Sequence, residues 1–120
     1  MYLCYLVTPT VFASNLKTAV SVTEETVKFD CESQSEESVY WSIRSPTART
    51  DSRVAENGYI VDGLENKFSF TNRTILTLRN TSMTDTGIYK CDDAAATGKT
   101  ISIELIVLGK LEYFKLASVY

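Results

Sequence analysis

Asp85-Thr86-Gly87-Ile88-Tyr89-Lys90-Cys91, set beside Cys31 and Trp41 upstream, decides the fold of this chain. Outward from that stretch, apolar residues recur with period two in short runs broken by turn residues, the pattern of strands with one buried face. Val20 and Val22 mark a first strand. Val27, Phe29 and Cys31 share one face of a second, with Lys28 and Asp30 on the other. The polar run Glu32 to Ser38 is expected to be a loop, after which Val39, Trp41 and Ile43 point inward and Tyr40, Ser42 and Arg44 outward. Ser45 to Gly58 turns to Ser, Pro, Thr, Arg and Asp with little alternation and is expected to be a loop-rich edge. Tyr59 to Val61 and Lys67 to Phe70 are short strands flanking the turn signals Asp62-Gly63 and Glu65-Asn66. Ile75 to Arg79 places Leu76 and Leu78 toward the core. Ile88 to Asp92 carries Cys91, and a turn through Gly98 leads to a last strand, Thr100 to Leu108. There Ile101, Ile103, Leu105 and Val107 share one face, and Ser102, Glu104, Ile106 and Leu108 the other. Ile106 and Leu108 are expected to be covered by the tail or by a neighbouring domain. The fold class is all-β.

The spacing of Cys31, Trp41, Tyr89 and Cys91 resembles that of an immunoglobulin-superfamily domain. The resemblance implies a two-sheet antiparallel Greek-key sandwich over residues 14–109, with one inter-sheet disulfide between Cys31 and Cys91. Such a bridge, closing a loop of about sixty residues, stabilises by roughly 4 kcal/mol in the chain-entropy description. Trp41 would pack across it, burying on the order of 200 Å². Tyr89 would form a tyrosine corner, its hydroxyl bonding backbone a few residues upstream. Gly87 would allow a tight turn where a side chain crowds the neighbouring strand, and Asp85 would pair with Arg53, Lys67 or Arg73. The spacing from Cys91 through Gly98 to Leu105 and Val107 is similar to intermediate-type domains. The loop between the cysteines falls between intermediate and variable types, so both subtypes remain open. Ala96-Thr97-Gly98-Lys99 stands where antibody variable domains carry Phe-Gly-x-Gly, which argues against pairing in the antibody manner.

From Trp41 onward the heptapeptide, the apolar run Ile101 to Val107 and Leu111-Glu112-Tyr113-Phe114 also resemble the membrane-distal immunoglobulin domain of platelet-derived and vascular endothelial growth factor receptors. That likeness implies that residues 110–120 are a linker or the start of a following domain. Ligand contact in that family falls mainly on later domains, so no growth-factor-binding residue is carried over.

Composition narrows the function. The 120 residues suit one domain. A net charge of −3 and a pI near 4.9 argue against a nucleic-acid surface, which shows as a clustered basic face. The chain contains no histidine, which removes histidine triads, general bases and metal sites together, and an enzyme is not expected. Neither a cofactor nor a metal nor a small-molecule substrate is expected. Met1 to Ala13 is mostly apolar and ends at Val11-Phe12-Ala13, a small-residue pattern suited to signal-peptide cleavage that would discard Cys4 and leave one cysteine pair. The segment is short and lacks a positive start, and its rivals are the edge of the reading frame or a first strand packed on the sandwich. No apolar run approaches the roughly twenty residues that span a bilayer.

Two sequons, Asn72-Arg73-Thr74 and Asn80-Thr81-Ser82, flank a predicted strand and are expected to carry glycans. Gly98-Lys99-Thr100 imitates the end of a phosphate-binding loop, but Asp93 occupies the position of its first glycine and β-branched residues follow. Asp92-Asp93 lacks the spaced oxygen ligands of a calcium loop and reads as a solvated turn. The acidic run Glu32 to Glu37 reads as an exposed loop. The candidate partner-binding site is the outer face of the sheet holding Trp41 and Tyr89, with Tyr40, Ser42, Arg44, Lys90, Glu104 and Ile106 at its centre and Ile88, Asp92 and Ser102 beside them. It mixes an aromatic, an arginine and aliphatics with flanking charges, as an interface does; the alternative is an ordinary polar sheet surface with Lys90 and Glu104 as a weak ion pair. The expected role is an extracellular protein-recognition domain of a receptor or adhesion molecule, binding a protein ligand or a second copy. A soluble secreted immune or decoy factor is the alternative.

Overall fold

Period-two burial is what closes the two sheets on each other. Along Thr100–Leu108, Ile101, Ile103, Leu105 and Val107 are buried, and each residue between them is half-exposed. The same phase runs through Gly87–Asp93, where Tyr89 and Cys91 point inward. The computed structural model describes residues 16–32, 39–72, 75–93 and 100–111. Cys4 and the proposed leader, the Ser33–Ser38 loop, Arg73, the Ala96–Lys99 turn and the tail from Glu112 lie outside the described residues.

Nine strands are described: β1 Leu16–Val22, β2 Val27–Asp30, β3 Val39–Arg44, β4 Ser52–Glu56, β5 Tyr59–Ile60, β6 Phe68–Asn72, β7 Ile75–Leu78, β8 Gly87–Asp93 and β9 Thr100–Leu108. They form a six-stranded sheet in the order β1-β9-β8-β3-β4-β5 and a three-stranded sheet in the order β2-β7-β6. Neighbours are antiparallel except β1 and β9, which run parallel from Leu16 beside Ser102 to Val22 beside Leu108. In that register Val20 and Val22 turn outward, while Ala19 packs toward the core and Ser21 is buried.

The core lies between the sheets. Cys31 and Cys91 form the expected disulfide, with Cα atoms 5.9 Å apart. Phe29 stacks on Tyr89 at 4.5 Å between ring centroids and meets Trp41 at 6.1 Å, geometries that suit the ring quadrupoles. Trp41, Tyr89, Leu76, Leu78 and Leu105 are fully buried. Trp41 Nε1 is buried without a hydrogen-bond partner among the described residues, so packing must offset its desolvation.

A corner at the start of β8 sets the phase of that strand. The Tyr89 hydroxyl donates to the Asp85 carbonyl at 2.8 Å, which is the tyrosine corner. Burial pushes the Tyr89 hydroxyl well above the usual phenol range, and the Asp85 charge adds to the effect. The Asp85 carboxylate accepts from Ser82 N–H at 2.8 Å and pairs with Lys67 at 2.9 Å. Lys67 is therefore the basic partner; Arg53 pairs with Glu56 instead. Gly87 matters through close approach: a Cβ there would lie 2.6 Å from the Arg44 carbonyl oxygen.

The Ser45–Gly58 segment, expected to be a loop-rich edge, runs as loop through Asp51 and then adds a strand. It contains β4 and leads by a tight hairpin into β5. Pairing with β3 passes from Trp41 opposite Ala55 to Ser42 opposite Arg53, skipping Val54. This bulge buries Val54 and Ala55 in succession, which is why no alternation is visible in the sequence.

Replacing Cys31 or Cys91 with Ala is expected to cost about 2–5 kcal/mol, and reductant should lower the melting temperature of the native chain but not of either variant. Gly87→Ala should cost about 1–3 kcal/mol in urea unfolding, because backbone rather than a flexible side chain must yield.

Candidate functional site

Because inward and outward residues alternate, the register of the six-stranded sheet builds its outer face row by row. Thr100, Asp92, Tyr40, Glu56 and Tyr59 lie in one row across β9, β8, β3, β4 and β5. Ser102, Lys90, Ser42 and Arg53 form the next, and Thr18, Glu104, Ile88 and Arg44 the one after. Val20 beside Ile106 and Val22 beside Leu108 complete the corner at β1. All six residues placed at the centre of the site from sequence thus share this face. Ser42 is nearly covered, at 8% exposed, and presents little of itself. Ile106 and Leu108 are half-buried, and the neighbours that flank them are Val20 and Val22 of β1.

The charged side chains are organised in two groups. Asp51, on the loop before β4, accepts from Arg44 Nε at 2.8 Å and from Lys90 Nζ at 3.1 Å. Lys90 thus pairs with Asp51 and not with Glu104, the weak ion pair that an ordinary polar sheet surface would have shown. The Lys90 hydrogen bond is the largest influence on Asp51 and, together with Arg44, holds its carboxyl below the usual aspartate range against a smaller desolvation effect. The second group is Arg53, whose guanidinium sits 4.7 Å above the Tyr40 ring centroid while donating to Glu56 at 2.7 Å. A guanidinium held between an aromatic face and a carboxylate keeps few rotamers, so Tyr40 and Arg53 present one fixed shape. Thr100 Oγ1 donates to Asp92 at 2.6 Å.

Tyr59 is the residue that the sequence reading missed. At 76% exposed it is the most exposed large apolar side chain among the described residues, and it stands in the row of Tyr40. Its position follows from the two-residue hairpin at Asn57-Gly58, where φ is +52° and +83° and Glu56 faces Tyr59. Asn-Gly is the strongest short hairpin signal, and reading it as such would have placed Tyr59 beside Glu56.

Because the Asp51 pKa is depressed on folding, its ion pairs hold at neutral pH and are lost as pH falls through the folded value. A carboxyl-carbon NMR titration should give Asp51 a midpoint below that of an unpaired aspartate, and Lys90→Ala should raise it. An unchanged midpoint in that variant would remove Lys90 as the main cause.

A comparison with curated proteins found no significant match. The family model of the immunoglobulin V-set domain matches residues 2–106. That span holds the disulfide, the tyrosine corner and the β4–β5 hairpin that widens the six-stranded sheet, and it settles the subtype left open by spacing. With most of its length so matched, the chain belongs to the immunoglobulin V-set domain family.

Proposed function

We propose that this V-set domain is an extracellular protein-recognition module of a cell-surface receptor or adhesion molecule, and that it engages its partner through the outer face of the six-stranded sheet. The observation that carries the reading is the row Tyr40, Glu56 and Tyr59 with Arg53 laid over Tyr40. Tyrosine and arginine supply most binding hot spots, since they offer large contact area with little entropy left to lose. The acceptor asparagines support the same assignment. Asn72 ends β6 and Asn80, which is exposed, follows β7. Both positions end or follow strands of the three-stranded sheet, so neither lies on a strand of the six-stranded face. Among the described residues no helix is long and apolar enough to cross a membrane.

The test is binding of the multimerised domain to an array of extracellular proteins, with dimeric growth factors included because of the resemblance from Trp41 onward. Tyr40→Ala/Tyr59→Ala should weaken a captured partner about tenfold or more while leaving thermal unfolding nearly unchanged. Unaltered capture by that variant would move recognition off this face. Silence across the whole array would favour a spacer domain and sink the proposal.

A further inference from the structure

Among the described asparagines, Asn57 is the one whose successor is a glycine with a free main-chain amide. Asn57 and Gly58 make the two-residue turn between β4 and β5, and both are exposed. Neither the Gly58 N–H nor the Asn57 side-chain amide has a hydrogen-bond partner among the described residues. Asn66 and Asn80 are exposed too, but the amide that follows each is engaged. Lys67 N–H donates to the Leu64 carbonyl at 3.1 Å, and Thr81 N–H to the Glu25 carbonyl at 3.0 Å.

A free main-chain amide directly after an asparagine is a nucleophile held beside an electrophile. The Gly58 nitrogen, as its anion, reaches Cγ of Asn57 by closing a succinimide ring, and holding both groups on one chain supplies the proximity that speeds such a closure. Glycine leaves that nitrogen unhindered, since it carries no Cβ. Ring closure makes the bond from Gly58 N to Cγ and breaks the bond from Cγ to Nδ2, which leaves as ammonia with the proton lost from Gly58. Water then opens the ring. Opening at the main-chain carbonyl gives isoaspartate, opening at Cγ gives aspartate, and water is the sole co-reactant.

We propose that Asn57 is a site of spontaneous modification, converted with loss of ammonia to isoaspartate or aspartate, and that the isoaspartate form withdraws Tyr59 from the outer face. Glu56 faces Tyr59 because the turn is closed by two residues at positive φ, +52° and +83°. Isoaspartate routes the main chain through Cβ and Cγ and so lengthens it by a methylene beyond Cα of residue 57. The start of the turn is tied, since Asn57 N–H donates to the Val39 carbonyl at 3.2 Å. The added length therefore falls on Gly58 and Tyr59. A new carboxylate also appears beside Glu56, competing for the Arg53 guanidinium that covers Tyr40. Aspartate adds the charge alone and keeps the turn, because Asp-Gly suits the same hairpin. This chemistry goes beyond the recognition reading and stands whatever the face binds.

The test is incubation of the folded, disulfide-bonded chain at body temperature and mildly alkaline pH, followed by peptide mapping, enzymatic methylation of isoaspartate and amide NMR. Isoaspartate should accumulate at position 57 with ammonia released in step, and faster as pH rises. Asn66 and Asn80 should remain amides. A second set of resonances should grow in for Glu56 and Tyr59, with those of Trp41 and Tyr89 unmoved. Asn57→Gly, whose Gly-Gly turn fits the hairpin without a side-chain amide, should abolish methyl acceptance. Freshly prepared Asn57→Asp should keep the Tyr59 resonance near its native position. An Asn57 that stays an amide, or equally fast conversion of Asn66 or Asn80, would overturn the site. Isoaspartate at position 57 with the Tyr59 resonance unmoved would overturn the displacement.

Discussion

The stack of Phe29 on Tyr89, beside the Cys31–Cys91 bridge and under Trp41, is the contact on which the rest of the molecule depends. It joins β2 of the small sheet to β3 and β8 of the large one. Once Trp41, Tyr89 and Cys91 are committed inward, period two commits Tyr40, Lys90 and Asp92 outward. A slip of one residue in β8 would bring Ile88 and Lys90 into the core and expel Tyr89. The Tyr89 hydroxyl bond to Asp85, the Lys67–Asp85 pair and the 2.6 Å clearance at Gly87 all oppose that slip from one end of the strand. The outer face is therefore rigid because of contacts made on the inner one.

The edge of the large sheet follows a different logic. β4 and β5 are short, and β4 departs from regular pairing by the bulge at Val54. A bulge increases local twist and re-aims the side chains beyond it. Here it keeps Val54 and Ala55 both inside and Arg53 and Glu56 both outside, which closes Arg53 over Tyr40. The Asn57-Gly58 hairpin then returns the chain with Tyr59 facing out. Without these two local devices the face would end at β3 and hold one tyrosine.

How much of this was legible depends on where burial imposes a period. β3 and β9 match their expected bounds, and β2, β7 and β8 fall within a residue of theirs, because each sets a buried side chain at every second position. The disulfide and the tyrosine corner were legible through the family resemblance that Cys31, Trp41, Tyr89 and Cys91 carry. β4 was not, since the bulge erases alternation where a strand begins. The partner of Asp85 was not, since choosing Lys67 over Arg53 needs the distance between a loop and a strand far apart in sequence. The pairing of Lys90 with Asp51 escaped for the same reason: opposite charges on adjacent strands are visible in sequence, but a loop carboxylate folding back over both strands is not. The candidate face was legible in its membership along β3, β8 and β9, and Tyr59 was hidden by the unread hairpin.

The heptapeptide Asp85–Cys91 shows why a sequence can name the module so readily and its ligand so poorly. Asp85, Gly87, Tyr89 and Cys91 make the corner, the close approach, the hydroxyl bond and the disulfide. These are demands of the sandwich itself and do not depend on any partner. Ile88 and Lys90 fall between them, pointing to solvent and to Asp51. The demands of the fold thus occupy one phase of this strand and the proposed recognition face the other. Substitution of the outward phase leaves the inward contacts intact, so such a domain can change its partner without changing its fold.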